Sequence, residues 1–382
     1  GGLLRDSVLA TLTVSDRAPI DVRSAVQGLL TYPYGCAEQT TSSAYPHLFI
    51  DEAAARRFGL KAFTPAQRVE MIDKAIGKLS GMQAANGGFS LWGNAAAYEY
   101  WLSAYIAHFL LDAREQGFNV PAGIEKRAVE FLLKGLQEGV AGLPTTAVVH
   151  NPNSIWNDSR YAGAGRYGVL AYGAYVLARH GQAPLATLRQ LHESQAAAYS
   201  GLALVHVGLA LKLMGDETRA QSAIEAGLKK PRGGPAYAWW GDYGSNLRDW
   251  ALIYVLLDKH QLNPPGRENL VAQVAGELSG NRYLSTQEKL ALFLLGRQFA
   301  ATPGKAWSAS LQSTGKPLAI GDSGAHYQTL SADEVTGGVK LRNAHSERLY
   351  AELNLSGQAA KTPVDRRDAF DLKRDWFTAD GK

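Results

Sequence analysis

"LRDWALIYVLLDKH", residues 247–260, is apolar almost all round, as a helix packed on two sides should be. Its apolar run "ALIYVLL" (251–257) is far too short to span a bilayer. Such a helix needs partners on both flanks, and the surrounding sequence supplies them. "TPAQRVEMIDKAIGKL" opens with Thr64 as cap, Pro65 at the first helical position and Gln67 completing a capping box. "IEKRAVEFLLKGL" places Ile124, Ala128, Phe131, Leu132 and Leu136 on one face. "STQEKLALFLLGRQ" begins with a second box, Ser285 to Glu288. About a dozen such helices run from residue 21 to about 302, separated by turn signals such as "NGGFSLWGN", "HNPNS" and "NPPG". The absence of a strict repeat argues against an open solenoid, so a closed ring of paired antiparallel helices is expected.

The ends of the chain have a different period. "SVLATLTVS" (7–15) alternates, with Val8, Ala10, Leu12 and Val14 on one face. "RLYAELNLS" (348–356) alternates with Leu349, Ala351, Leu353 and Leu355 inward, and "GGVKLRN" (337–343) reads as its hairpin neighbour. Strands isolated at both ends cannot be stable apart. The expected organisation is mainly α, with a helical ring inserted into one small antiparallel β domain. The expected spans are 1–20 for the first strand or strands, 21–302 for the ring, 303–362 for the remaining strands and 363–382 for a charged linker.

Composition excludes several classes. A net charge of +4 over 382 residues with no Lys/Arg stripe makes nucleic acid a poor partner. Apolar content is ordinary for a globular protein, so a sizeable core is expected. The chain opens "GGLL", without an initiator Met or signal sequence, and reads as an excised piece whose cellular address lies elsewhere. One cysteine forbids an internal disulfide.

That cysteine is Cys36, in "YPYGCAEQTT" (32–41). A lone Cys is ordinarily a small buried hydrophobe. Here Gly35 permits a sharp entry, and Cys36 stands at a helix N-terminus, where the dipole and free N–H groups favour an anion. A cysteine protease needs a histidine delivered in space, and nine are available. No motif marks one; His47, His108, His206 and His260 lie in helical runs as packed or surface residues. Gln39 is nearer, because side chains at i and i+3 are neighbours on a helical turn. The Cys36 sulfur can reach the Gln39 amide carbon, expel ammonia and close an internal thioester. Glu38, between them, reads either as a proton shuttle or as a solvated first-turn acid.

"YPYGCAEQTT", with "NGGFSLW" and "YLSTQEKLALFLLG", resembles the thioester proteins of the α2-macroglobulin and complement family, bacterial α2-macroglobulins in particular. The resemblance implies an α/α toroid as thioester domain, interrupting a CUB-type β domain, with a macroglobulin-type domain beyond the linker. It implies a periplasmic protease trap, held to the inner membrane by an upstream lipoprotein anchor outside this chain. Cleavage of a bait region uncovers the thioester, and a lysine amine of the protease attacks the Gln39 acyl group. This is single-use capture, hence an endopeptidase inhibitor and not an enzyme. It needs no cofactor or metal; the partners are target proteases and other domains of the same protein, without membrane contact by this piece. Tyr32 and Tyr34 are the nearest aromatic candidates for shielding the bond, with core packing as their competing role. His150, in "TTAVVHNPNSIW", stands roughly where some complement relatives carry an acyl-transfer histidine.

Two other classes remain open. "QAANGGFSLW" (83–92) resembles the repeats of terpene cyclases and protein prenyltransferases, though it occurs once and without an Asp-rich motif or zinc ligands; as a plain turn it would pack Phe89 and Trp92 beneath it. An inert helical interaction module is the other.

Overall fold

Alternating amphipathic and all-round apolar helices have one economical arrangement, an inner ring wrapped by an outer one. The structure, a computed structural model, describes residues 2–16, 22–30, 35–93, 98–142, 159–233, 242–278, 283–301, 306–313, 317–322 and 325–361, together with 375 and 378. Two compact units emerge, one formed by Ile20–Gly304 and the other by Gly1–Pro19 with Lys305–Lys382.

The helical unit contains α1 (Val22–Leu30), α2 (Ala37–Phe49), α3 (Glu52–Arg57), α4 (Pro65–Ser80), α5 (Tyr100–Glu115), α6 (Ala122–Gly142) and α7 (Ser159–Arg179). It continues through α8 (Leu185–Glu193), α9 (Gly201–Leu213), α10 (Glu217–Lys229), α11 (Asn246–Lys259), α12 (Arg267–Leu278) and α13 (Thr286–Ala301). Contacts run α2–α5–α7–α9–α11–α13 and back to α2, closing an inner ring. Outside it, α4 packs on α2, α6 on α5 and α7, α10 on α9, α12 on α11 and α1 on α13. The fold is an α/α toroid. Residues 247–257 of α11 are buried on nearly every side, because inner helices meet neighbours in the ring and an outer helix behind. Outer α4 buries only the stripe Ile72, Ala75, Ile76 and Leu79. Both capping boxes form: Gln67 N–H donates to Thr64 Oγ1 at 3.2 Å, and Glu288 N–H to Ser285 Oγ at 3.2 Å.

The second unit holds β1 (Leu9–Ser15) and the later β4 (Trp307–Gln312), β5 (Leu318–Asp322), β6 (Ala325–Leu330), β7 (Lys340–Asn343) and β8 (Tyr350–Ser356), with the short α14 (Ala332–Gly337). Between β1 and β4 in the chain, β2 (Phe89–Ser90) and β3 (Tyr98–Glu99) pair within the helical unit. Strand β1 is central in an antiparallel sheet of order β6-β1-β8, and β4 is central in β5-β4-β7. Ala10, Leu12, Val14, Trp307, Leu311, Ile320 and Leu330 form a separate small core.

Two strand expectations fail. The hairpin expected between 337–343 and 348–356 does not form, because β7 pairs with β4 while β8 pairs with β1. Leu353 and Leu355 stand opposite Leu12 and Ala10, so they share the core-side face, yet they are 41% and 48% exposed. They lie on an edge strand, and alternation in a sequence specifies a face without saying whether anything covers it.

Candidate functional site at the N-terminus of α2

Helix α2 begins on the motif. Cys36 is its N-cap, with extended backbone (φ −65°, ψ 168°), and Gln39 is the third helical residue. The two close a reciprocal box: the Gln39 backbone N–H donates to Sγ, and the Cys36 N–H donates to Gln39 Oε1 at 3.3 Å. A thiol and an amide side chain are thus held across a single turn. The Ala37 N–H donates to the Leu91 carbonyl at 2.9 Å, tying the turn to the arm that follows β2.

Cys36 is 5% exposed. Burial pushes its thiol up, the N–H groups of Gln39 and Glu38 pull it back, and the charges of Glu38 and Glu99 push it further up; the net direction is upward. The anion-favouring N-terminus expected from sequence is therefore outweighed by desolvation, and the sulfur prefers a neutral form. That opposes the cysteine-protease alternative, which needs a ready thiolate. The histidines named above also serve other contacts. His108 Nδ1 pairs with Tyr172 OH at 2.9 Å and His260 Nε2 with Tyr175 OH at 3.0 Å. His206 stacks on Tyr172 with ring centroids 4.8 Å apart, and burial lowers His47 to about 4 beside Phe63.

Glu38 is only 3% exposed, so its reading as a solvated acid is overturned. Ser42 Oγ donates to Oε1 at 2.7 Å, Gln287 Nε2 to Oε1 at 2.7 Å, and Thr286 Oγ1 lies 2.9 Å from both oxygens. Thr286 and Gln287 open α13, so the second sequence signature meets the first in space, 248 and 249 residues away. Glu288 continues the chain of contacts, its Oε1 accepting from Ser245 Oγ at 2.6 Å ahead of α11. The N-termini of α2, α5, α11 and α13 collect at this end of the ring, where their dipoles favour buried negative charge. Glu38→Ala will strand the donors of Ser42, Thr286 and Gln287 and loosen α2 from α13. It should cost about 2 kcal/mol in denaturant unfolding, and an effect below about 0.5 kcal/mol would dismiss the clamp.

An aromatic wall leads from this turn into the ring: Tyr45 and Tyr105 lie 6.0 Å apart, Tyr105 and Trp101 5.1 Å, Trp101 and Tyr243 4.8 Å. Tyr45, Trp101, Tyr172, His206, Arg248 and Leu290, one from each inner helix, help line an axial cavity of about 430 Å³. Among the described residues no cluster of three His, Cys, Asp or Glu is arranged to hold a metal ion. No helix among them is long and apolar enough to cross a membrane. Phe89 is fully buried as the turn reading expects, whereas Trp92 is 69% exposed and packs beneath nothing.

Cys36, Glu38 and Gln39 are thus brought together, while Tyr32, Tyr34 and His150 lie outside the described residues. Sequence reasoning missed Ser42, Glu99, Tyr105 and Tyr243, and quoted Thr286 and Gln287 only within a signature. Thr286 and Gln287, immediately inside a capping box, carried a usable signal; Tyr243, in an irregular connection, carried none.

Comparison with known proteins finds relatives in both sequence and fold. The family described as "A-macroglobulin TED domain" matches residues 9–151. Alpha-2-macroglobulin of Xylella fastidiosa strain Temecula1 is 38% identical over 100% of this chain, which spans 23% of that protein. The crystal structure of native alpha-2-macroglobulin from Escherichia coli, from domain MG7 to the C-terminus, superposes with a TM-score of 0.85 at 35% identity, covering 96% of this chain and 55% of that one. Salmonella alpha-2-macroglobulin reacted with methylamine gives a TM-score of 0.85 at 34% identity, over 100% of this chain and 24% of that one.

Proposed function

We propose, because this chain belongs to the α2-macroglobulin family and carries the thioester domain of its bacterial branch, that Cys36 and Gln39 form the internal thioester of a protease trap. Protease inhibition is the general role of the family. The observation that carries the finer reading is the reciprocal box at the start of α2, which sets the reacting groups across one turn. Sγ adds to the Gln39 amide carbon, the C–N bond breaks and ammonia leaves with the thiol proton. When an amine later attacks, the acyl group passes to nitrogen and the thiol returns. Burial serves such a bond by excluding water.

In this reading the unit Ile20–Gly304 is the thioester domain, and the unit Gly1–Pro19 with Lys305–Lys382 is a CUB-type domain whose last twenty residues lead toward a further macroglobulin-type domain. The protein acts in the periplasm, anchored to the inner membrane through a segment outside this chain. Its partners are proteases, joined through lysine amines after bait cleavage, and its own remaining domains. One acyl group is spent per capture, so the activity is inhibition and not turnover, and no cofactor enters it. Glu38 acts as the clamp between α2 and α13, its buried hydrogen bonds leaving it less suited to shuttling protons.

Mass spectrometry with thiol titration tests the reading. The natively purified protein should be lighter than its sequence mass by one ammonia and silent toward thiol reagents. Methylamine should restore the full mass plus the mass difference of the methyl group and release one thiol per chain. A protein of full sequence mass, labelled at once by a thiol reagent, would refute it.

A further inference from the structure

Glu99 is a half-buried acid that the capture chemistry above leaves unused. It ends β3, and its backbone is the N-cap of α5. It stands opposite Phe89 in the β2–β3 pair, and two residues beyond Phe89 the Leu91 carbonyl accepts from Ala37 N–H, next to Cys36. The hairpin carrying Glu99 is therefore tied directly to the turn that carries the motif.

From the other side Tyr243 OH donates to Glu99 Oε2 at 3.4 Å. Tyr243 holds a left-handed backbone (φ 54°), a conformation that costs a bulky residue energy and clusters at functional sites, and its ring rests against Trp101. Tyr243, from the connection before α11, and Cys36, at the start of α2, lie within electrostatic reach of this carboxyl, and Glu38 of α2 lies within reach of both Cys36 and Tyr243. Lys78 of α4 lies just outside, its Nζ over Gly35. Among the described residues no cation forms an ion pair with Glu99, whereas the buried Asp112, Asp242 and Asp249 each have two.

We propose that Glu99, positioned by Tyr243, carries the proton in acyl transfer at Gln39, an inference that rests on the thioester reading above. The amine nitrogen adds to the Gln39 carbonyl carbon as the bond to Cys36 Sγ breaks. The Glu99 carboxylate takes the proton that the nitrogen must lose and delivers it to the departing sulfur. The balance is closed: amine plus thioester gives amide plus thiol, and Glu99 ends as it began. Burial raises Glu99 to about 7, with the Tyr243 hydrogen bond pulling it part of the way back, so near neutrality it can both accept and release a proton. The sulfur needs that delivery, because burial and the Glu38 and Glu99 charges disfavour a thiolate at Cys36.

The test measures thiol release by methylamine from the native protein between pH 5.5 and 9, corrected for the free-base fraction of the amine. The intact mass of each variant is recorded first, so that only chains holding a thioester are compared. Wild-type rates should rise through an inflection near 7 to a plateau. Glu99→Gln should lose the inflection and fall roughly 10²-fold at the plateau. Tyr243→Phe keeps the ring on Trp101 but removes the donor that lowers Glu99, so its inflection should move to higher pH. This variant decides the matter even if Glu99→Gln fails to fold or to form the bond. A Glu99→Gln profile identical to wild type, or an inflection unmoved in Tyr243→Phe, would overturn the inference and leave the thioester intact. A wild-type chain of full mass that releases no thiol would overturn the thioester reading itself.

Discussion

Cys36→Ala and Gln39→Ala will each abolish covalent conjugation of a protease while leaving the toroid folded. In the proposed thioester the first removes the sulfur that would hold the acyl group, the second the acyl carbon, and neither loss could be made up by a neighbour in the turn. The structural cost is small. Cys36 is an N-cap, a position whose replacement by alanine costs about 1 kcal/mol, and Gln39 is only half-buried. The acceptors follow from the same chemistry. A thioester yields readily to amines, whereas a hydroxyl needs a base to take its proton. Lysine amides should join the trapped protease, and amides of the amine probe should dominate over esters when activated protein meets equimolar amine and alcohol probes; His150→Ala should leave both nearly unchanged. Esters at Gln39 that vanish in His150→Ala would promote that histidine to an acyl-transfer role. Adducts that persist in Gln39→Ala would be more damaging, since they would place the reactive carbonyl elsewhere.

What could be read from the chain alone was whatever depends on near neighbours. The boxes Thr64–Gln67 and Ser285–Glu288 span three residues and were legible as written. The Cys36–Gln39 pair has the same spacing and became legible for the same reason. Closure of the ring depends on α2 meeting α13, and the hydrogen bonds that fasten it, Glu38 to Thr286 and Gln287, join residues about 250 apart. No periodicity encodes that meeting. Glu38 itself carried an ordinary first-turn signal, and only the arrival of three polar donors made its burial tolerable. Strand pairing failed likewise: β7 and β8 are adjacent in sequence with suitable alternation, yet each found a partner in a different sheet.

The largest stability effect should come from the other end of the ring, where Asp112→Ala is expected to cost about 3–5 kcal/mol. Asp112 of α5 accepts from Arg179 Nη1 of α7 at 2.8 Å, from Lys259 Nζ of α11 at 2.9 Å and from Tyr45 OH of α2 at 3.2 Å. Arg179 and Lys259 are the last residues of their helices, so their charges also oppose the negative ends of those dipoles. One carboxylate thereby fastens four inner helices. Its removal leaves Arg179, whose side chain is 4% exposed, with Glu115 alone as an anionic partner among the described residues, and a buried cation short of its counter-charge is the costly outcome. Burial alone would raise Asp112, but Lys259 and Arg179 hold it well below its ordinary 3.8; His108, itself lowered to about 3 by burial, stays neutral and adds no charge at neutral pH. The sign for pH follows. A carboxyl depressed by folding contributes stability that is fully present above its unfolded value and is lost as pH falls toward the folded one. The gap between wild type and Asp112→Ala should therefore stay constant from pH 8 to about 5 and shrink below about 4. Denaturant titrations at pH 7, 5 and 3.5 measure it, and a gap that widened on acidification would show that Asp112 does not hold the ring through its charge.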